Sequence, residues 1–311
     1  MSWHVLHVLS PNTKLSKFRG HLRCEQVGQP PRQIPLEDLK CVILAYQGIA
    51  LSSNVISALL EHKVGIIHCD QKFVPCGVTM PLVQTIDPLI QKRQITAKRI
   101  NQALWQKILH QKISNQAKVL ELIGADYEVL KAEAKKKLLN ESAAARQYFR
   151  FFFTALNEPY LTRREDNDHE LNVLMNYGYT VLQAMIHRSV VVHGLSLQFG
   201  IHHVDRYQAH AFVYDLMEPW RPFVDLLVWT FIQRAQTADL ADFKNFIHHT
   251  AFGWTALTLQ TCRGSQKMLN CIDHAIASVQ TVYQCQKIKP LWLPKVETKH
   301  LMDLLKWDGV L

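Results

Sequence analysis

Residues 170–223 read Glu170-LNVLMNYGYTVLQAMIHRSVVVHGLSLQFGIHHVDRYQAHAFVYDLMEPWRP-Phe223. From Glu170 to His193 the apolar residues recur at helical spacing, and Gly194 follows as the residue type that closes helices. A short extended piece leads to Gly200-Ile201-His202-His203. Asp215-Leu-Met-Glu218-Pro-Trp-Arg-Pro then opens a strongly apolar helix, Trp220 to Ala235. Pro219 is tolerated in a helix's first turn. Asp215 and Glu218 therefore read as a helix-start pair, with Glu218 as the acidic partner of a capping box.

Working upstream, Ile90–Ile113 and Ser114–Leu139 read as helices. Leu139–Leu156 places Glu141, Ala145, Tyr148 and Phe152 on one helical face. The first 80 residues differ in kind. Trp3–Leu9, Cys41–Tyr46 and Val64–Cys69 are short apolar runs of strand formers. Ser52–Glu61, with Val55, Leu59 and Leu60, reads as a helix between the last two. Pro30, Pro31 and Pro35 mark loops, and Gly77–Pro88 is the expected boundary. The expectation is an α+β chain: a small β-rich N-terminal domain at 1–80, a linker at 81–90, and a larger all-α catalytic domain at 91–311.

No apolar run among the 311 residues approaches the ~20 needed to span a bilayer. Residues 1–17 show no basic region followed by an apolar block, so a cytoplasmic protein without membrane partners is expected. Seven cysteines, none spaced as Cys-x-x-Cys, exclude a zinc ribbon and favour buried reduced thiols. The net charge is +9, and residues 91–140 alone contribute +7. Those basic residues, among them Lys112, Lys135, Lys136 and Lys137, fit either solvated helix faces or a sequence-independent track for phosphates. Composition does not decide between the two.

Glu141, His203, Asp215 and Glu218 carry the chemistry. Each alone has an ordinary structural explanation: Glu141 suits the positive end of a helix dipole, and His203 is one of 16 histidines. Together they supply hard oxygen ligands and one imidazole, a set suited to Mg2+ or Mn2+ rather than zinc. In a basic chain this points to phosphodiester chemistry. An iron oxygenase using two histidines and one carboxylate fits the ligand inventory but not the basic helices.

The run 170–223 closely resembles the CRISPR-associated endonuclease (integrase) family that captures new spacers. The motifs occur in order: a Glu ahead of an aromatic helix (Glu141), the Asn176-Tyr177-Gly178-Tyr179 helix, Gly200-x-x-His203, and Asp215-x-x-Glu218 ahead of Pro-x-Arg-Pro. Ile34-Pro-Leu-Glu-Asp38 and Ile66-Ile-His-Cys-Asp70 resemble the same family's N-terminal domain. The Asp-Leu-Met-Glu-Pro wording resembles members from type II systems.

The resemblance implies that Glu141, His203 and Glu218 hold the metal, with Glu218 where other members have Asp. Asp215 and Asn176 are implied as auxiliaries, and Asn172 and Tyr177 lie in the matching helix. Lys135, Lys136, Lys137 and Arg146 are the expected DNA contacts. The implied activity is metal-dependent insertion of captured DNA into a CRISPR array by transesterification. The implied partners are double-stranded and branched DNA, a second copy forming a homodimer, a small second adaptation subunit and, in a type II system, the effector nuclease. An inactive DNA-binding scaffold and a related integrase of a mobile element are the competing readings.

Overall fold

The computed structural model describes residues 4–8, 10–44, 46–69, 75–82, 88–203, 210–248, 257–261 and 264–305. Trp3, Leu9, Asp70, Cys262 and residues 83–87 of the expected linker lie outside them. The chain divides into two compact units, Met1–Asp87 with His187–Leu195, and Pro88–Ile186 with Ser196–Leu311.

The first unit is built from strands β1 (His4–Val8), β2 (Lys14–Phe18), β3 (His21–Glu25), β4 (Arg32–Pro35), β5 (Leu39–Leu44) and β6 (Ala50–Leu51). Helix α1 (Ser53–Glu61) and strands β7 (Gly65–Cys69) and β8 (Pro75–Thr79) complete it. One sheet has the order β1-β5-β7-β8, and α1 supplies the crossover that a parallel β5–β7 pair requires. Ser52 caps α1, accepting a hydrogen bond from the Val55 N–H at 3.4 Å. The second sheet, β4-β3-β2-β6, contains a hairpin that periodicity did not reveal. Its turn is Arg19-Gly20, both at positive φ (45° and 77°), which matches the twist of the flanking strands. Leu15, Leu22, Leu36, Val42, Leu59 and Ile66, which span both sheets and α1, form the buried core of this unit.

The second unit is helical: α2 (Pro88–Thr96), α3 (Lys98–Leu122), α4 (Glu128–Ala134), α5 (Glu141–Ala155), α6 (Glu170–Val192) and α7 (Ala211–Met217). After a 3₁₀ turn, Glu218–Trp220, come α8 (Arg221–Ala235) and α9 (Leu240–His248). A two-stranded hairpin, β9 (Thr258–Thr261) and β10 (Gly264–Lys267), precedes α10 (Met268–Cys285) and α11 (Thr298–Leu305). The small β-rich part followed by a larger helical part is as expected, with this hairpin added to it.

Three local expectations are corrected. The helix read as Ile90–Ile113 breaks at Ala97, and α3 runs through Ser114 to Leu122. Leu109, Ile113, Ala117 and Leu120 continue its buried stripe, so nothing at Ser114 stops it, whereas Gly124 (φ 74°) does. Asp215 is not at a helix start but inside α7, because the helix begins at Ala211. Of the six described cysteines only Cys41 and Cys271 are buried, and burial pushes the Cys41 thiol up to about 12. The Gly194 expectation holds: the Leu195 and Gly194 N–H groups donate to Val190 O and Val191 O in a Schellman closure.

Helix α3 packs against α5, α7, α8 and the 3₁₀ turn, so it is the axis of this unit. A second constraint joins α5, α6 and α8. Asp225, buried on α8, accepts hydrogen bonds from Tyr148 OH of α5 (2.8 Å) and Tyr179 OH of α6 (2.5 Å). Close approach of α6 to α8 is set at Gly178, where a Cβ would lie 2.5 Å from Val224 Cγ1. Gly178→Ala gains about 1 kcal/mol of helix propensity. Overpacking against fully buried Val224 costs about 1–3 kcal/mol. The clash is expected to win, lowering the thermal midpoint, and Val224→Ala in the same chain should restore much of the loss. A Gly178→Ala protein as stable as wild type would refute this packing account.

Candidate functional site

Asn140 caps α5, accepting from the Ala143 N–H at 3.0 Å, and so sets Glu141 in the first turn. Glu218 opens the 3₁₀ turn that Pro219, lacking an N–H, imposes between α7 and α8. The two carboxylates meet at one ammonium. Lys112 Nζ on α3 lies 2.7 Å from Glu141 Oε1 and 2.5 Å from Glu218 Oε2. Arg221 Nε holds the other Glu218 oxygen at 3.0 Å. Burial pushes the Glu218 carboxyl up, but Arg221, Lys112 and His203 outweigh it and pull the group down to about 2. Burial likewise lowers Lys112, and Glu218 and Glu141 reverse it to a net raised value.

Asp215 does a different job from the one its type suggested. Fully buried, it accepts from the backbone N–H groups of Ile201 (2.5 Å), His202 (2.9 Å) and His203 (3.3 Å). It also lies 2.6 Å from His203 Nδ1. Both oxygens are thereby spent on shaping the 200–203 turn. The carboxylate calls for a proton on Nδ1, which leaves the lone pair of a neutral His203 on Nε2. Gly200 makes this possible, since a Cβ there would lie 2.0 Å from His203 O and 3.1 Å from Asp215 Oδ2. The adjacent rings diverge: His202 stacks on Trp105 (4.3 Å between centroids, 6° between planes), while His203 turns to Asp215. His203 is raised above its ordinary value, by the Asp215 hydrogen bond first, against burial, and with help from Asp215, Glu218 and Glu141.

Glu141 and Glu218 thus both act on His203, and His203 on Glu218. Among the described residues no group of three or more His, Cys, Asp or Glu forms a ready metal cage. The point between Glu141 and Glu218 is taken by the Lys112 ammonium. Glu218 Oε2 is buried, and its one close partner among the described residues is that ammonium. Two carboxylates already converging on a cation, with one imidazole acting on both, fit a hard divalent ion.

The remaining expected residues sort differently. Asn176 accepts from Arg163 Nη2 at 2.6 Å and donates to Glu165 O at 3.0 Å, and Asn172 binds the same loop through Thr162 O and Arg163. They hold the loop beside the site. Tyr177 packs edge-on against Phe243 and under Lys244. Lys135, Lys136, Lys137 and Arg146 are exposed, and Lys136 pairs with Glu133. Of the basic residues at 91–140, Lys112 leaves the surface entirely, and Arg93 caps α10 through Tyr283 O and Gln284 O.

Sequence reasoning missed Lys112, Asn115, Arg163 and Tyr179. Lys112 sits at positions +7, +4 and +3 from Trp105, Ile108 and Leu109, so the buried stripe pointed to it. Asn115, one turn on, donates to Pro219 O at 2.7 Å and fixes the Glu218 turn on α3. Arg163 and Arg221 lie over the Tyr179 ring at 5.3 and 4.8 Å. They line a pocket of about 220 Å³ together with Lys112, Gln116 and Arg164. Deeper in its wall, burial pushes Asp225 up to about 6 despite the two tyrosines and two arginines.

The family model described as CRISPR associated protein Cas1 matches residues 6–251. A CRISPR-associated endonuclease Cas1 from Neisseria meningitidis serogroup C (strain 8013) is 29% identical over 304 residues, 95% of this chain and 97% of that one. A solved casposase bound to integration product has a TM-score of 0.71 at 16% identity, covering 98% of this chain and 99% of that one. A Cas6-RT-Cas1–Cas2 complex matches with a TM-score of 0.69 at 16% identity, over 94% of this chain and 36% of that one. At such identities the two structures speak to the fold alone.

The Asp215–His203 pair has a pH signature. Because His203 is raised in the fold, its protonated form contributes stability fully below the unfolded value of about 6.5. That contribution is lost as pH rises through the raised value. In metal-free protein Asp215→Asn should move the His203 imidazole titration, followed by NMR, to lower pH and remove this pH-dependence of the thermal midpoint. An unmoved titration would show that the pair is not the cause.

Proposed function

The chain belongs to the Cas1 family of CRISPR-associated proteins, and from that premise we propose that it inserts captured DNA fragments into a CRISPR array by metal-dependent transesterification. The observation that carries the reading is the convergence of Glu141 and Glu218, from distant parts of the chain, on one cation position. His203 lies in electrostatic reach of both. The Neisseria meningitidis relative is a CRISPR-associated endonuclease, and integration product is what the similar casposase holds.

Glu141, His203 through Nε2, and Glu218 would hold Mg2+ or Mn2+, which supplies Lewis-acid charge at the scissile phosphate. Asp215 keeps the imidazole turned and its Nδ1 protonated. Arg163, Arg164 and Arg221 line the neighbouring pocket and suit the charge of a phosphodiester. The 3′-hydroxyl of the fragment loses its proton as its oxygen bonds phosphorus. The target strand's 3′-oxygen departs as its bond to phosphorus breaks, and takes up a proton. Bonds made and broken balance, so no nucleophilic side chain and no energy source are needed. With water in place of the hydroxyl, the same displacement cuts branched DNA.

The proposed partners follow the same premise: double-stranded and branched DNA, a second copy of the chain, and a small second adaptation subunit of the kind named in the Cas1–Cas2 complex. The resemblance of the Asp215-Leu-Met-Glu218-Pro219 run to type II members supports the effector nuclease as a further partner. No helix among the described residues is long and apolar enough to cross a membrane.

The test is integration of a short duplex with 3′-hydroxyl ends into a repeat-bearing plasmid, with and without Mn2+. His203→Ala should abolish strand transfer and leave duplex affinity nearly intact, since affinity comes from many phosphate contacts. His202→Ala should be much milder, costing its stack on Trp105. Activity of the wild type should fall as pH drops through the raised His203 value, because a protonated imidazole is no ligand. Full activity of His203→Ala would remove this residue from the site, metal-independent transfer by wild type would overturn the metal reading, and absent transfer would favour the scaffold reading.

A separate measurement concerns the exposed run Lys135–Lys137. Charge reversal there should weaken binding of unrelated duplexes about equally. The dependence of log affinity on log salt should flatten by about 0.9 per lost phosphate contact. Unchanged affinity and slope would return the run to an ordinary solvated surface.

A further inference from the structure

Helix α3 carries Lys98, Arg99, Lys107, Lys112 and Lys118, and all but Lys112 face or reach solvent. Burying an ammonium is costly unless charge partners and hydrogen bonds compensate. Here two carboxylates do so, and neither could lie so near the other without a cation between them. We infer that Lys112 is a positioning residue that holds the place of the divalent ion, tying Glu141 to Glu218 in the metal-free protein and giving way when the ion binds. The inference rests on the metal-site reading above.

Geometry makes the two occupants exclusive. The ammonium sits within 2.7 Å of one carboxylate oxygen and 2.5 Å of the other. A divalent ion takes such oxygens at about 2.0–2.6 Å. Both cannot occupy the same point between the two side chains. A landing place for the displaced side chain is also built in. Gln116, one turn further along α3, is buried, and its Oε1 is without a hydrogen-bond partner among the described residues. Gln116 and Lys112 line the same pocket of about 220 Å³. A flexible lysine leaving the carboxylates can donate to Gln116 Oε1 and put its charge beside Arg163 and Arg221, where a phosphate would lie. The lysine thus keeps the ligands apart at metal spacing before the ion arrives, at the expense of apparent affinity.

The readout is Mn2+ binding by calorimetry together with thermal midpoints with and without Mn2+, on the full chain. Lys112→Met should lower the metal-free midpoint, enlarge its rise on adding Mn2+, and tighten Mn2+ binding about tenfold, as for a wild type whose open state is about 10% populated. Lys112→Arg, which keeps the bridging charge, should retain wild-type stability and affinity. Gln116→Leu, which removes the landing place, should weaken Mn2+ binding. Should Lys112→Met fail to fold, Lys112→Gln carries the same expectations, and Gln116→Leu keeps its own. Unchanged or weaker Mn2+ binding in the Lys112 neutral variants overturns the inference. Glu141→Gln separates this from the parent reading. If it abolishes Mn2+ binding while Lys112→Met does not strengthen it, only the inference falls. If Glu141→Gln binds Mn2+ like wild type, the metal site itself is wrong and both fall.

Discussion

A buried carboxylate has to be compensated where it stands, and Glu218 sets the terms for everything around it. It is nearly inaccessible to water, held low by a guanidinium from the next turn and an ammonium from another helix. Taking away one member of such a group costs about 3–5 kcal/mol, since the remaining charge stays buried without its partner. Helix α3 is therefore not free to slide: Lys112 must reach Glu218, and Asn115 must reach the carbonyl of Pro219. The same Asn115 binds Pro294 O and Val296 N, so the C-terminal segment is tied to the turn that carries Glu218.

Two more carboxylates lie buried close by in sequence, and their compensation differs. Asp215 is satisfied by three backbone amides and an imidazole, which makes it a shaper of the 200–203 turn. Asp225 is satisfied by two tyrosine hydroxyls, and burial still raises it to about 6. It is the knot of three helices. Only Glu218 is balanced by mobile side-chain cations, one a lysine with four rotatable bonds. Of the three, it is the one whose partner can be exchanged.

These assignments show what the sequence could carry. Glu141, His203 and Glu218 could be proposed together because their motifs stand in order along the chain. The helical part was legible because α5, α6 and α8 are long and bounded by recognisable residues. Lys112 was hidden by its type: a lysine among ten other basic residues in fifty reads as surface, although its place in the buried stripe of α3 contradicted that. Asp215 was misread because its role lies in a turn twelve residues upstream, and no local pattern reports such a contact. The β2–β3 hairpin escaped for a like reason, its turn being Arg-Gly rather than Asn-Gly.

Charge balance connects these residues to the proposed chemistry. In the metal-free site, Lys112 and Arg221 offset Glu141 and Glu218, so this group of four is neutral. A divalent ion entering between the carboxylates would move the Lys112 ammonium aside within the same pocket, leave Arg221 in place, and give the group an excess of two positive charges. Arg163, held by Asn172 and Asn176, adds to that excess from the loop side of the same pocket. An anionic phosphodiester would then favour the ion, and the ion the phosphodiester, by the same coupling free energy, as linkage requires. A site that is neutral when empty gains its attraction for DNA phosphate together with the means to react it. Phosphate affinity elsewhere on the chain, through exposed lysines, carries no such coupling, since nothing there changes when the ion binds.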